Sequence, residues 1–273
     1  MNTDSTSRRI GLALGSGGPR GLAHIGVIHA LISHGIPIDY IAGSSAGAFI
    51  GGLFAVTQSI EEVEKKVKAF TYKDLLLVFS DVGVLTGMVH GNAMEAFLEK
   101  LLEHATMESL PIPFAAVATD VYAGDTVVIT KGSLARAIRM SSAVPAIFDA
   151  ALHEGRYLID GGASHPVPVH TAHDMGATYV IAVNLDSYNF IDSNPSVTKM
   201  PNIKDVSIAS IRLLRYNLAK ELCNDADVTI TPDIASVSSI NLAGFLHPHD
   251  IILKGYEAAR AAIPQIKSDL NIR

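Results

Sequence analysis

The chain has little cysteine: Cys223 is the single one among 273 residues. An intramolecular disulfide is therefore excluded, and the composition fits a reducing compartment. Cys223 itself reads as a helix-face residue rather than a nucleophile. Basic clusters are also lacking, and the net charge is −6, which argues against nucleic acid as a main partner. No apolar run approaches the roughly 20 residues that a membrane span needs. The opening Met1–Ser7 is polar, without the apolar stretch of a signal peptide. These absences lead to the expectation of a cytoplasmic protein. What the chain does have is apolar residues, 48% of the total, enough for a large core. The expected layout is a disordered tail over 1–8 and one domain over 9–273.

Strand and helix patterns alternate along the chain, which argues for an α/β fold with a mainly parallel sheet between helical layers. Arg9–Leu14 reads as the first strand. It runs into Gly15-Ser16-Gly17-Gly18-Pro19-Arg20-Gly21 and then into an apolar helix over Leu22–Leu31. A glycine-rich loop opening a helix offers free N–H groups and the positive end of the helix dipole to concentrated negative charge. The dinucleotide fingerprint G-x-G-x-x-G fits poorly here, and no Lys-Ser or Lys-Thr follows to make a P-loop. A phosphate or the oxyanion of acyl transfer would both suit it.

One βα unit later, Ile36–Ile41 reads as a buried strand and Ala48–Val56 as a helix apolar on every face. Gly43-Ser44-Ser45-Ala46-Gly47 lies between them. A strand that turns at once into a helix around G-x-S-x-G is a nucleophile elbow, with the central serine in strained backbone geometry and its hydroxyl turned outward. The pattern is weak alone in a chain with 22 glycines; its setting raises it. The two loops lie about one βαβ unit apart, roughly 30 residues, so their strands are expected to be neighbours. An oxyanion hole beside a nucleophile is the better reading of the first loop. Tyr157-Leu158-Ile159-Asp160-Gly161-Gly162 then ends a short strand on an exposed carboxylate, a candidate base for Ser45.

Those motifs, in that order, resemble the patatin-like phospholipase family, in particular its bacterial single-domain members. The family's G-G-x-R-G loop stands here as Gly17-Gly18-Pro19-Arg20-Gly21, its elbow as Gly43–Gly47, and its D-G-[GA] motif as Asp160-Gly161-Gly162. Ser141–Phe148 is similar to a further family stretch. The resemblance runs from about Ile10 to about Leu185. Ser16 stands where the family loop often leads with glycine. The resemblance implies a three-layer α/β/α, patatin-like fold and a Ser45–Asp160 dyad with no catalytic histidine. It also implies an oxyanion hole formed by residues 17–21, chiefly through Gly17 and Gly18, with no metal and no cofactor. The expected substrate is a fatty acyl ester of a lipid, met with transient contact at a membrane surface. An aspartate near pKa 3.9 is a weak base at neutral pH, so partial burial must raise it. Arg20 either adds a positive field or closes the loop from the surface.

Alternatives remain in the residues themselves. A Ser-Asp-His order is available through His165, His170 or His173, with His165 the best placed, although Pro166 and Pro168 suggest a rigid path there. An acyltransferase would use the same residues, a regulatory adaptor would keep the fold with little turnover, and a nucleotide-binding protein is more distant. His24 and His29 read as packed or solvated helix residues. His247-Pro248-His249-Asp250 reads as a helix start rather than a metal site. The apolar segment 75–88 reads first as ordinary core and second as a lid or wall for an acyl chain, with Leu242–Leu246 a further contributor. Residues 186–201 read as one long polar loop.

Overall fold

The computed structural model describes residues 8–83, 88–186, 203–238 and 242–272. The chain opens with β1 (Ile10–Leu14), α1 (Ala23–Ser33), β2 (Tyr40–Ser44) and α2 (Ala46–Thr57). Three helices follow: α3 (Ile60–Lys68), α4 (Tyr72–Val78) and α5 (Asn92–Leu101). Next come β3 (Phe114–Asp120), β4 (Thr126–Ile129), α6 (Leu134–Ser141), β5 (Ala151–His153) and β6 (Arg156–Asp160). The last elements are α7 (Val169–Asp174), β7 (Tyr179–Val183), α8 (Ile203–Leu222), β8 (Val228–Ile230) and α9 (Pro248–Leu270).

The strands form one sheet in the order β5-β6-β3-β2-β1-β7-β8, with β4 also paired to β3. Its centre is parallel: β1 pairs with β2 and β7, β2 with β3, and β7 with β8. β4 and β6 run antiparallel to β3, and β5 to β6. Alternation along β1 builds the layers, because successive side chains leave a strand on opposite faces. Ile10, Leu12 and Leu14 pack into the larger core with Ile25 and Ile28 of α1 and Ile263 and Ile266 of α9. Ala13 faces the smaller core, with Val169 and Ala172 of α7 and Ala219 of α8. Burying a Leu or Ile fully contributes about 1.5–3 kcal/mol, so the larger layer carries most of the stability. The result is the three-layer fold expected from the alternating pattern.

Several boundaries differ from the sequence reading. β2 starts at Tyr40 rather than Ile36, since Pro37 brings no N–H to a ladder. The hairpin partner β5 was not foreseen, although Glu154 (φ 47) and Gly155 (φ 78) form the left-handed turn that joins it to β6. α7 was also missed, being only six residues long behind Pro168. α4 corrects the reading of 75–88 as ordinary core: none of its residues is fully buried. Residues 84–87 of that segment, and 187–201 of the polar loop, lie outside the described residues.

Candidate active site

Consecutive positions of β3 bring the two halves of the site together. Val117 is in register with Ser44 at the end of β2, and Ala118 with Asp160 at the end of β6. Ser45 follows as the residue before α2, with φ 54 and ψ −117, the strained elbow geometry expected. Its N–H donates to Ser141 Oγ at 2.9 Å, and that hydroxyl donates to the Val117 carbonyl at 2.5 Å. Ser141, the first residue of the Ser141–Phe148 stretch, therefore pins the elbow to β3. The elbow tolerates no bulk: a side chain at Gly47 would run into the Leu14 carbonyl, and one at Gly21 into the Ala46 Cβ.

Ser45 Oγ donates to Asp160 Oδ2, and Asp160 Oδ1 accepts the Gly162 N–H at 2.7 Å. Both residues are buried, Ser45 6% and Asp160 7% exposed. Burial pushes the Asp160 carboxyl above the ordinary carboxylate range. The Ser45 hydroxyl, the nearby Arg215 cation and the Gly162 N–H pull against that shift.

The glycine loop lies beside the elbow because β1 and β2 are parallel neighbours, Leu14 in register with Gly43. Gly18 sits at φ 56, where a side chain is strained, and opens a 3-10 helix over Gly18–Leu22. Among the described residues, the Gly17 and Gly18 N–H groups donate to no protein acceptor. Pro19 has no N–H to offer. Arg20 is not at the surface: it is buried, and its guanidinium donates to the carbonyls of Val237 (2.6 Å), Leu185 (3.4 Å) and Ala235 (3.4 Å). It closes the loop against the C-terminal third of the chain.

Ser45 and Gly18 open onto an apolar cavity of about 130 Å³. Phe49, Phe70, Phe79, Phe97, Phe148 and Phe245 contribute its rings. Leu75 and Val78 of α4 also line it, as does Phe245 of the Leu242–Leu246 segment.

The histidines are elsewhere. His165 Nδ1 meets Thr126 Oγ1 at 2.6 Å, His170 Nε2 meets Asp225 Oδ2 at 2.6 Å, and His173 Nε2 meets the Asp225 carbonyl at 3.1 Å. Neither carboxylate oxygen of Asp160 accepts from any of them. His249 and Asp250 stand in the first turn of α9. Burial pushes the Cys223 thiol up to about 11, which keeps it in the thiol form at neutral pH.

Sequence reasoning missed His24, Asp186 and Arg215. His24 is fully buried in α1, and its Nε2–H donates back to the Gly15 carbonyl at 2.7 Å, clamping the start of the loop. Burial pulls it down to about 4, so it is neutral.

A family model described as patatin-like phospholipase matches residues 12–173, more than half of the chain. The chain belongs to the patatin-like phospholipase family. An uncharacterized NTE family protein of Mycobacterium tuberculosis is 38% identical over 199 residues, covering 73% of this chain and 54% of that protein. Patatin-like phospholipase domain-containing protein 7 of Rattus norvegicus is 33% identical over 194 residues, covering 68% of this chain and 14% of that protein. The chain thus spans about half, or less, of the length of these curated relatives. Among solved structures it is similar to VipD from Legionella pneumophila, with TM-score 0.53 and 13% identity, covering 95% of this chain and 67% of that one. At that identity the likeness is one of fold. The matched segment contains the glycine loop, the elbow and Asp160, so the patatin-like family and the site geometry meet on the same residues.

Proposed function

We propose that this protein is a serine hydrolase that cleaves fatty acyl esters of lipids through an acyl-serine intermediate. The observation that carries the reading is the Ser45–Asp160 hydrogen bond at the mouth of an apolar, phenylalanine-rich cavity. In this mechanism Asp160 Oδ2 takes the Ser45 hydroxyl proton as Oγ attacks the ester carbonyl. The carbonyl oxygen becomes an oxyanion and accepts from the Gly17 and Gly18 N–H groups. Each such donor is typically worth roughly a hundred- to a thousandfold in rate. Collapse breaks the ester C–O bond, and the departing alcohol takes the proton from Asp160. Water then attacks the acyl-serine and gives its proton to Asp160, and the proton returns to Ser45 as the fatty acid leaves. A raised carboxyl pKa suits this role, because a base close to the working pH transfers protons most efficiently.

The acyl chain would lie against Phe49, Phe79 and Phe148, where burying each methylene contributes about 0.8 kcal/mol. α4 supports a transient contact with a lipid surface. Its Leu75 and Val78 face the cavity, while Tyr72, Leu76 and Leu77 are 65%, 73% and 52% exposed. An apolar wall and an apolar outer face on one helix suit a ligand that arrives from a bilayer.

A fluorophosphonate tests the chemistry directly, since an activated serine attacks phosphorus and stays bonded to it. Labelling at Ser45, lost in Ser45→Ala and kept in Ser44→Ala, is the expected result. Ser44 is the control, because it is adjacent yet fully buried in β2. Folded protein that takes no label would favour an adaptor on the same fold.

A further inference from the structure

The dyad has a neighbour that no motif announces. Arg215 projects from α8, and its Nη2 lies 2.8 and 2.9 Å from the two carboxylate oxygens of Asp186, which follows β7. The same nitrogen donates to Ser16 Oγ at 3.0 Å. Ser16 is 1% exposed, stands immediately before Gly17, and donates its own N–H to the Pro166 carbonyl at 2.8 Å. A Cβ placed on Gly162 would fall 2.7 Å from Ser16 Oγ and 2.9 Å from Asp160 Oδ1. The Ser16 hydroxyl and the Asp160 carboxylate therefore flank one small gap, kept open by glycine. Arg215 reaches one side of it.

We propose that Arg215, held by Asp186, is a positioning residue for the Ser45–Asp160 pair. It fixes the entrance of the glycine loop through Ser16 and places a permanent positive charge beside the buried carboxylate. This inference rests on the dyad reading and assigns that dyad its electrostatic partner. A carboxylate out of water must otherwise bind a proton, and a protonated Asp160 is no base. Guanidinium suits the task because it stays charged when buried and offers several donors from one plane. Ser16 then acquires a purpose: where glycine stands in the related loop, the hydroxyl links the cation to the loop.

The other charges around Asp160 leave this position to Arg215. Among the described residues, Asp186 is the acidic group that acts on the carboxyl, and it pushes the pKa up while Arg215 pulls it down. Arg20 spends its donors on the carbonyls of Val237, Leu185 and Ala235, and His165 is engaged by Thr126. β2 and α2 carry no charged side chain.

The test is the pH dependence of fluorophosphonate labelling and of short-chain ester hydrolysis, in wild type, Arg215→Met, Arg215→Lys and Asp186→Asn. The activating limb should move to higher pH in Arg215→Met by about half a unit to one unit, because the opposing charge is gone. Arg215→Lys, which keeps the charge, should restore most of that shift. Asp186→Asn should move the limb the other way. A purely structural Arg215 would lower the amount of active protein without moving the limb. Thermal melting identifies a variant that has not folded; if Arg215→Met is one, Arg215→Gln, which keeps a polar head without the charge, decides. A wild-type limb with no displacement in any folded variant overturns the inference and leaves the dyad standing. Absence of wild-type labelling would instead overturn the dyad reading itself.

Discussion

The Ser45 hydroxyl donates to the Asp160 carboxylate across 115 residues of chain. The contact exists because β2 and β6 both pair with β3, and their ends fall on its consecutive residues Val117 and Ala118. A one-residue slip in either pairing would turn one partner to the other face of the sheet. The site is therefore as precise as the register of three strands.

Replacing Asp160 should separate a dyad from a triad. Asp160→Asn keeps the shape and the Gly162 hydrogen bond but removes proton acceptance, and hydrolysis should fall roughly a hundredfold or more. His165→Ala, which loses only the Thr126 contact, should keep most of the rate. Ester turnover of both variants, measured beside circular dichroism, checks this. A histidine variant as inactive as Asp160→Asn would establish the triad.

Gly18→Ala should lower kcat with little change in KM, since an oxyanion forms only as charge develops. An L side chain at φ 56 carries a strain of about 1–2 kcal/mol, so melting must be recorded alongside. A phosphate loop would show the opposite pattern, a loss of ground-state affinity. Full kcat in a folded Gly18→Ala enzyme would remove the loop from the mechanism.

The parts of this molecule that were legible in its sequence are the local ones. The elbow, the glycine loop and Asp160-Gly161-Gly162 each carry their signal within a few residues, because a tight turn needs small side chains where it turns. The alternation of strands and helices was legible for a similar reason, since each element carries its period within its own few residues. Arg215 and Asp186 were not. They sit in a helix and a loop with no distinctive spacing, and only the fold brings them to Ser16. His24 was invisible in a similar way, since a histidine on an apolar helix reads the same whether it packs or clamps. The cavity rings come from segments as far apart as Phe49 and Phe245, so their convergence is a property of the tertiary structure.

His24 predicts an acid-sensitive stability. Its folded pKa of about 4 lies below the ordinary 6.5, so the unfolded chain binds the extra proton within that window. Stability should fall as pH drops from about 6.5 towards about 4, by about 1.4 kcal/mol per unit and on the order of 3 kcal/mol in all. Asp160 works in the opposite sense: its raised carboxyl contributes more at lower pH, and its contribution is lost as pH rises through its folded value. Chemical denaturation at several pH values should give a flatter profile for His24→Gln than for wild type. Identical slopes would show that His24 does not titrate in unfolding.

The outer face of α4 is testable by comparing two substrates. The double change Leu76→Ser and Leu77→Ser should leave hydrolysis of a soluble short-chain ester unchanged, because neither residue lines the cavity. Hydrolysis of lipid in vesicles should fall roughly tenfold or more if two exposed leucines enter the interface. Equal loss on both substrates would mean that the pocket, and not the surface, was disturbed.

The Arg20 clamp has a consequence for where this chain can be cut. The matched family segment ends at residue 173, yet the acceptors of Arg20 are at Leu185, Ala235 and Val237. β7, which covers one side of β1, and α9, which buries Ile25 and Ile28, also come after that point. A fragment stopped at 173 would hold Ser45, Asp160 and the glycine loop, and still lack much of the structure that supports them. It would present a bare, apolar sheet edge and a buried cation stripped of its carbonyls, the makings of an aggregate. The family motifs are complete in the first two thirds of the sequence, but the foldable unit is longer than the segment that carries them.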